Sequence, residues 1–254
     1  MNRSRRFLQG AALWLAASCS GVLLPATVHA AGAPAAEVPV AGNLVAGAPA
    51  ARIPTAGTPA AGRPVETLVF VRHGEKPAQG FGQLSCQGLN RSLALPAVIA
   101  AKFGKPDAIF APDPGQQKND SGHPYYYVRP LATIEPTAIQ FEMPVQTPYG
   151  FAQIDKLSNT LVDPAYRNKL VVVAWEHKLI EKLVRQMVSA HGGNASDVPK
   201  WQSDDFDSIY VVKLDWQGGT PHATFQHSQE GLNGRPADCP CAALPPAAAS
   251  GATP

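Results

Sequence analysis

The sequence predicts an α/β fold: a central, mostly parallel sheet with helices on both faces, a three-layer α/β/α sandwich. Two observations carry this. Short apolar runs alternate with segments of helical period from residue 65 to about 216. Strands that are apolar nearly throughout are those buried on both faces. In addition, Ala, Pro and Gly concentrate at the two chain ends. A single core therefore falls within 65–236, roughly 170 residues, enough for one well-buried domain.

Residues 1–30 begin with Arg3, Arg5 and Arg6, continue through an apolar run from Phe7 to Leu24, and end on Val28-His29-Ala30. A basic start, an apolar middle and a small-x-small exit form a secretory signal peptide, cleaved before Ala31. The destination is the periplasm or the exterior of a bacterium. A retained anchor is the alternative. Arg5-Arg6-Phe7-Leu8-Gln9 is close to a twin-arginine signal, with imperfect spacing. Leu15 to Cys19 is close to a lipoprotein box anchored through Cys19, but its Leu stands one position too far from the Cys. Residues 31–64 repeat Ala-Gly-x-Pro-Ala-Ala from Ala31, Ala46 and Ala56. Such a stretch buries too little surface to offset its ordering entropy and reads as a disordered linker. Residues 237–254 read as a flexible tail of similar character.

The elements between follow in order. A strand at 66–71 carries Leu68, Val69, Phe70 and Val71. Ser85 caps a helix over 86–103 bearing Leu89, Leu93, Val98 and Ile99, with a kink at Pro96. A short strand at 107–111 precedes an insertion at 112–128. A helix over 129–141 has Pro130 in its first turn and a break at Pro136. A helix at 152–162 leads to the most apolar strand, 169–175 (KLVVVAW). The helix at 178–191 is amphipathic, and Gly192 ends it. Strands at 208–216 and 222–229 form a closing hairpin.

Composition excludes several function classes. Lys and Arg number 21 against 19 Asp and Glu, a net charge of +2. That is no broad basic field for nucleic acid. After leader removal no segment supplies the ~20 apolar residues of an integral membrane span. Loss of Cys19 leaves Cys86, Cys239 and Cys241. A disulfide from Cys86 to either tail cysteine is open in an oxidising compartment, and one thiol is left over. The Cys-x-Cys pair lacks the companion ligands of a zinc site.

The first strand runs into Arg72-His73-Gly74-Glu75, where Gly74 allows a sharp turn. By itself this could be a satisfied edge histidine. However, His177 ends the KLVVVAW strand at the same edge, and Arg129 opens the helix after the 107–111 strand and its insertion. In an open α/β sheet, reactive groups collect at the carboxyl ends of strands.

Arg-His-Gly, then an arginine with a threonine four residues on, then a strand-terminal histidine, resembles the histidine phosphatase superfamily, with its phosphoglycerate-mutase-like fold. The resemblance spans most of 65–216 and includes Leu84-Ser85 with Gly88, and Thr137-Ala138 after Arg129. It implies that His73 is the nucleophile that becomes a phosphohistidine. It implies that Arg72 and Arg129 fork onto the phosphoryl oxygens and keep the imidazole neutral by like-charge repulsion. It also implies that His177 adds a donor, that water completes the hydrolysis, and that no cofactor or metal takes part. The partner is a small phosphorylated substrate.

The proton donor departs from the family pattern. The position after the second histidine, acidic in the phytase branch, is Lys178. Two carboxylates are candidates: Asp113, at the right sheet edge, and Glu176, which strand alternation would turn to the opposite face. A site without a carboxylate donor is the third alternative. Glu75 reads as an ion-pair residue near Arg91. Lys76, Lys118 and Lys178 either recruit anions or, as lone lysines usually are, are simply solvated. The 112–128 insertion, with His123 and Tyr125 to Tyr127, either shapes substrate choice or packs on the domain. His191, His222 and His227 read as no metal ligands. The expected activity is a metal-independent phosphatase. The alternatives are a phosphotransferase or mutase of the same fold, or a phosphate-binding domain of weak turnover.

Overall fold

The computed structural model describes residues 65–241. The expected signal peptide (1–30) with Cys19, the expected linker (31–64) and residues 242–254 lie outside the described residues. Among the described residues no helix is long and apolar enough to cross a membrane.

The first strand, β1 (Val65–Arg72), is apolar on both sides because both are covered. Leu68 and Phe70 enter one core, Val69 and Val71 the other. Ser85 then caps α1 (Cys86–Lys102), accepting from the Gly88 amide at 3.1 Å. The helix buries Leu95 and Ile99, while Leu93, expected on its inner face, is exposed. The next elements are β2 (Ala108–Phe110), then β3 (Gln117–Asp120) and β4 (His123–Tyr126), then α2 (Arg129–Gln140). The chain continues through β5 (Val145–Gln146), α3 (Ile154–Leu161), β6 (Leu170–Trp175), α4 (His177–Ala190), β7 (Ser208–Asp215) and β8 (His222–Gln229).

The six-stranded sheet has the order β5-β2-β6-β1-β7-β8. Only β7 runs against the others, pairing antiparallel with both β1 and β8. α1 and α2 pack on the face of Val69 and Val172, and α3 and α4 on the face of Phe70 and Val173. This is the expected α/β sandwich with helices on both faces. Burying a side chain the size of Phe70 or Phe110 stabilises by roughly 1.5–3 kcal/mol.

One expectation for α2 is corrected. Helix α2 does not break at Pro136. Proline removes the amide that would bond the carbonyl of Ala132. The Ser92 hydroxyl of α1 donates to that carbonyl instead, at 2.8 Å, so the neighbouring helix supplies the missing bond. The 112–128 insertion, given no elements of its own in the sequence, holds the β3–β4 hairpin. Its turn is Ser121-Gly122, both at positive φ (54° and 90°), as a two-residue primed turn requires.

The beginning of the expected tail is held in place. Cys86 is bonded to Cys239, leaving Cys241 as the exposed free thiol. Asn90 Nδ2 donates to the carbonyls of Pro236 and Asp238. Beneath this strap Arg91 is fully buried and meets three carboxylates, Glu75 at 2.8 Å, Glu230 at 2.6 Å and Asp207 at 3.4 Å. The Glu75–Arg91 pair is as expected.

Candidate active site

The parallel register of β1 and β6 sets Arg72 beside Trp175. The residues just past those positions are therefore neighbours at the carboxyl edge. The His73 amide donates to the Trp175 carbonyl at 3.1 Å. Gly74 lies so close to α1 that a Cβ there would stand 2.9 Å from the Gly88 carbonyl oxygen. Its amide donates to Thr133 Oγ1 at 2.9 Å, and Thr133 donates on to the Arg129 carbonyl. One threonine thus ties the first turn of α2, and with it Arg129, to the histidine loop.

Arg72, His73, Arg129, Glu176 and His177 all line one cavity of about 200 Å³, together with Lys76, Lys118, Asn119 and Asp120. A larger depression, about 340 Å³, sits by Val65, Lys102 and Leu170 at the amino end of the strands and holds no histidine or cysteine. Chemistry, not size, marks the candidate site.

His73 is buried, with Nδ1 2.8 Å from the Gly74 carbonyl oxygen. A carbonyl only accepts, so Nδ1 carries the hydrogen, and the lone pair of the neutral ring is on Nε2. Burial, then the nearby Arg129 and Arg72, push the imidazole pKa down to about 3, against the opposing pull of the Gly74 carbonyl and Glu176. The ring is neutral at pH 7. Desolvation is the main cause, and the expected like-charge repulsion adds to it.

Arg72 is oriented from outside the cavity. Its Nη1 donates to the carbonyls of Ser203 (2.9 Å) and Asp205 (2.7 Å), and its guanidinium lies 3.7 Å over the Phe206 ring. One prong of the expected fork is therefore occupied by the 203–206 loop. Nε is buried without a hydrogen-bond partner. Arg129 Nη1 pairs with Asp120, and its Nε is likewise buried and unpartnered.

His177 is the first residue of α4 rather than the last of a strand. Glu176 is its N-cap, accepting from the Leu179 amide at 3.0 Å. Strand alternation therefore does not apply, and the expectation that Glu176 faces away is corrected. Its Oε1 lies 2.9 Å from His177 Nδ1. That contact is close but lacks hydrogen-bond geometry, and neither ring nitrogen of His177 has a hydrogen-bond partner. Burial alone would raise the Glu176 carboxyl, but His177, Lys118 and the Leu179 amide outweigh it and hold the pKa at about 2.

Asp113 is corrected as well. It does not line the cavity, and its Oδ1 accepts from the Gly115 amide at 2.8 Å, capping a turn. The carboxylate that enters from this part of the chain is Asp120, on the hairpin, paired with Lys76 and Arg129. Asn119 and Asp120 are the cavity residues that the sequence reading did not name, and Lys76 and Lys118, considered there as anion recruiters or solvated lysines, also line the cavity. The Ser121-Gly122 turn was the available signal, because it implies a hairpin that aims residues just before it. His123 is exposed, whereas Tyr127 is buried with its ring centroid 6.0 Å from that of His73.

Among the described residues no cluster of three or more His, Cys, Asp or Glu is arranged to hold a metal ion. Chemically, the site offers a neutral nucleophilic nitrogen, more cations than carboxylates, and unpartnered nitrogens suited to an anion.

No protein-family model matches the chain, and no curated protein matches it. Several solved structures are similar to it. A mycobacterial glucosyl-3-phosphoglycerate phosphatase with inorganic phosphate is 15% identical over 63% of this chain and 95% of its own, with a TM-score of 0.45. A protein assigned as phosphohistidine phosphatase SixA from Nakamurella multipartitia is 14% identical over 64% of this chain and 96% of its own, with a TM-score of 0.44. Phosphoglycerate mutase from Plasmodium falciparum is 13% identical over 64% and 89%, with a TM-score of 0.43.

Proposed function

We propose that this chain is an exported phosphohydrolase that cleaves a phosphate monoester through a phosphohistidine on His73. One observation carries the reading: Arg72, Arg129 and His177 line one cavity with a neutral His73, and Arg72 Nε, Arg129 Nε and His177 Nε2 are buried without hydrogen-bond partners. An orphaned buried donor costs roughly 1–3 kcal/mol. Three at one cavity are best accounted for by a ligand with several acceptor oxygens. A phosphoryl group has three and is anionic, as the excess of cations demands.

His73 Nε2 attacks phosphorus while Arg72, Arg129 and His177 hold the non-bridging oxygens, and the ester oxygen leaves. Water then attacks the phosphohistidine and inorganic phosphate departs. The neutral imidazole favours turnover over simple phosphate binding, since the nucleophile is already deprotonated. The Cys86–Cys239 bond supports an oxidising destination, in keeping with the leader.

The test is incubation with a radiolabelled aryl phosphate, followed by an alkaline quench. Wild type should retain acid-labile, base-stable label and release phosphate equally with and without EDTA, and H73A should do neither. Full activity in H73A, or loss of activity with EDTA, would overturn the mechanism.

A further inference from the structure

Expulsion of an alkoxide needs a proton at the ester oxygen, and the cavity's carboxylates cannot give one at neutral pH. Glu176 is held at about 2 by its neighbours. Asp120 would be raised by its burial, but Lys76 and Arg129 pull it below the usual carboxylate range. Asp113 is outside.

The cations differ in how they are engaged. Arg129 and Lys76 share Asp120, Arg72 is held by two carbonyls and Phe206, and His177 faces Glu176. Lys118 makes no ion pair or hydrogen bond among the described residues. It is half-buried on β3, its Nζ 4.8 Å from the Tyr127 ring centroid and 5.2 Å from that of Phe151. Tyr127 also underlies Arg129, 4.8 Å away, and meets the His73 ring edge-on. Lys118 therefore shares one aromatic support with the nucleophile and a phosphate-binding arginine, with its ammonium protons uncommitted.

We propose that Lys118 is the proton donor to the leaving oxygen, a part the hairpin supplies in place of a carboxylic acid. The inference rests on the phosphohistidine reading above. As the His73 Nε2 lone pair forms the P–N bond, the P–O bond breaks with its electron pair on oxygen. One Lys118 ammonium proton moves to that oxygen, leaving a neutral amine. The amine then takes a proton from the water that attacks phosphorus, and the P–N electron pair returns to His73. Every group facing Lys118 bears on its acidity. Burial and the cations Arg129 and Lys76 make the ammonium more acidic, while Glu176 and Asp120 oppose them, and the outcome is a lowered pKa. Such a donor extends the substrate class to alkyl phosphates, whose leaving groups need protonation.

The experiment compares 2,4-dinitrophenyl phosphate, whose leaving group needs no proton, with ethyl phosphate. K118M should lower kcat/KM on ethyl phosphate about 100-fold, and on the dinitrophenyl ester at least tenfold less severely. K118R keeps the charge but not the acidity. It should recover most of the aryl-ester loss and little of the ethyl-ester loss, and the basic limb of the ethyl phosphate pH profile should disappear. Equal losses on both esters, or an arginine that restores both, would make Lys118 only a binding charge and overturn the proposal. If wild type forms no His73-linked phosphate, the function reading fails and this inference falls with it. Normal phosphohistidine formation with an unaltered K118M ester ratio defeats the inference alone.

Discussion

The Glu176 carboxylate lies 2.9 Å from His177 Nδ1 where β6 passes into α4. The same carboxylate caps that helix through the Leu179 amide. One side chain thus orients the ring at the helix start and closes the helix end behind it.

This double role gives Glu176 a distinct acid dependence. Its folded-state pKa, about 2, is below the ordinary carboxylate value of 4.5. Its stabilisation is therefore complete above about 4.5 and is lost as pH falls toward 2. E176Q should be less stable than wild type by roughly 2–3 kcal/mol at pH 6, with the gap closing near pH 2–3. Urea unfolding of both proteins across that range measures it. A gap that does not depend on pH would assign the effect to packing.

The His73 imidazole should stay neutral far into acid. With its pKa pushed down to about 3, the ring in an NMR titration should keep its Nδ1–H tautomer from pH 8 to 4. A midpoint near 6.5 would mean that water reaches the ring more freely than its burial implies.

Glu66 behaves in the opposite way at the amino end of the same strand. It is fully buried, accepts from Trp216 Nε1 at 3.0 Å, and leaves Oε1 unpartnered. Burial pushes its pKa up to about 8, against the pull of Trp216 and Arg167. Its contribution is present below about 4.5 and lost as pH rises through 8. E66Q should therefore gain on wild type as pH increases, by roughly 2–4 kcal/mol between pH 5 and 9. Thermal melts at several pH values test this, and parallel curves for the two proteins would refute it.

Arg91 joins α1 to the Glu75 loop and to Asp207 and Glu230. R91M would leave Glu75, Asp207 and Glu230 without their shared cation. The expected loss is about 3–5 kcal/mol, read by denaturant midpoint. C239S opens a cross-link spanning 153 residues and should cost about 2–4 kcal/mol. Treating wild type with reductant should reproduce that loss, while C241S should melt like wild type.

Much of the site is legible in the sequence because strand ends are. Arg72-His73-Gly74 follows an apolar run that can only be a buried strand, and Glu176-His177 follows another. Parallel neighbours bring such ends together without further information. Glu176 was misread because one residue of helix start changes which way a side chain points. Pro136 was misread because its freed carbonyl is satisfied by Ser92, a residue of another helix. Asp120 was missed, and Lys118 was not assigned to the site, because their importance comes from where the hairpin lies, and no local pattern encodes that.

The sequence by itself determined the alternation of strands and helices, the apolar sheet, and, as candidates, five residues that line the cavity: Arg72, His73, Arg129, Glu176 and His177. These depend on local periodicity and on strand ends, both readable within a few residues. Only the tertiary structure decided which charges pair, since pairing joins positions far apart in the chain: Asp120 with Lys76, Arg91 with Glu230, and Arg72 with the carbonyls of Ser203 and Asp205. Those pairings leave Lys118 without an ion-pair partner among the described residues, while burial, with the charges of Arg129 and Arg72, keeps His73 neutral.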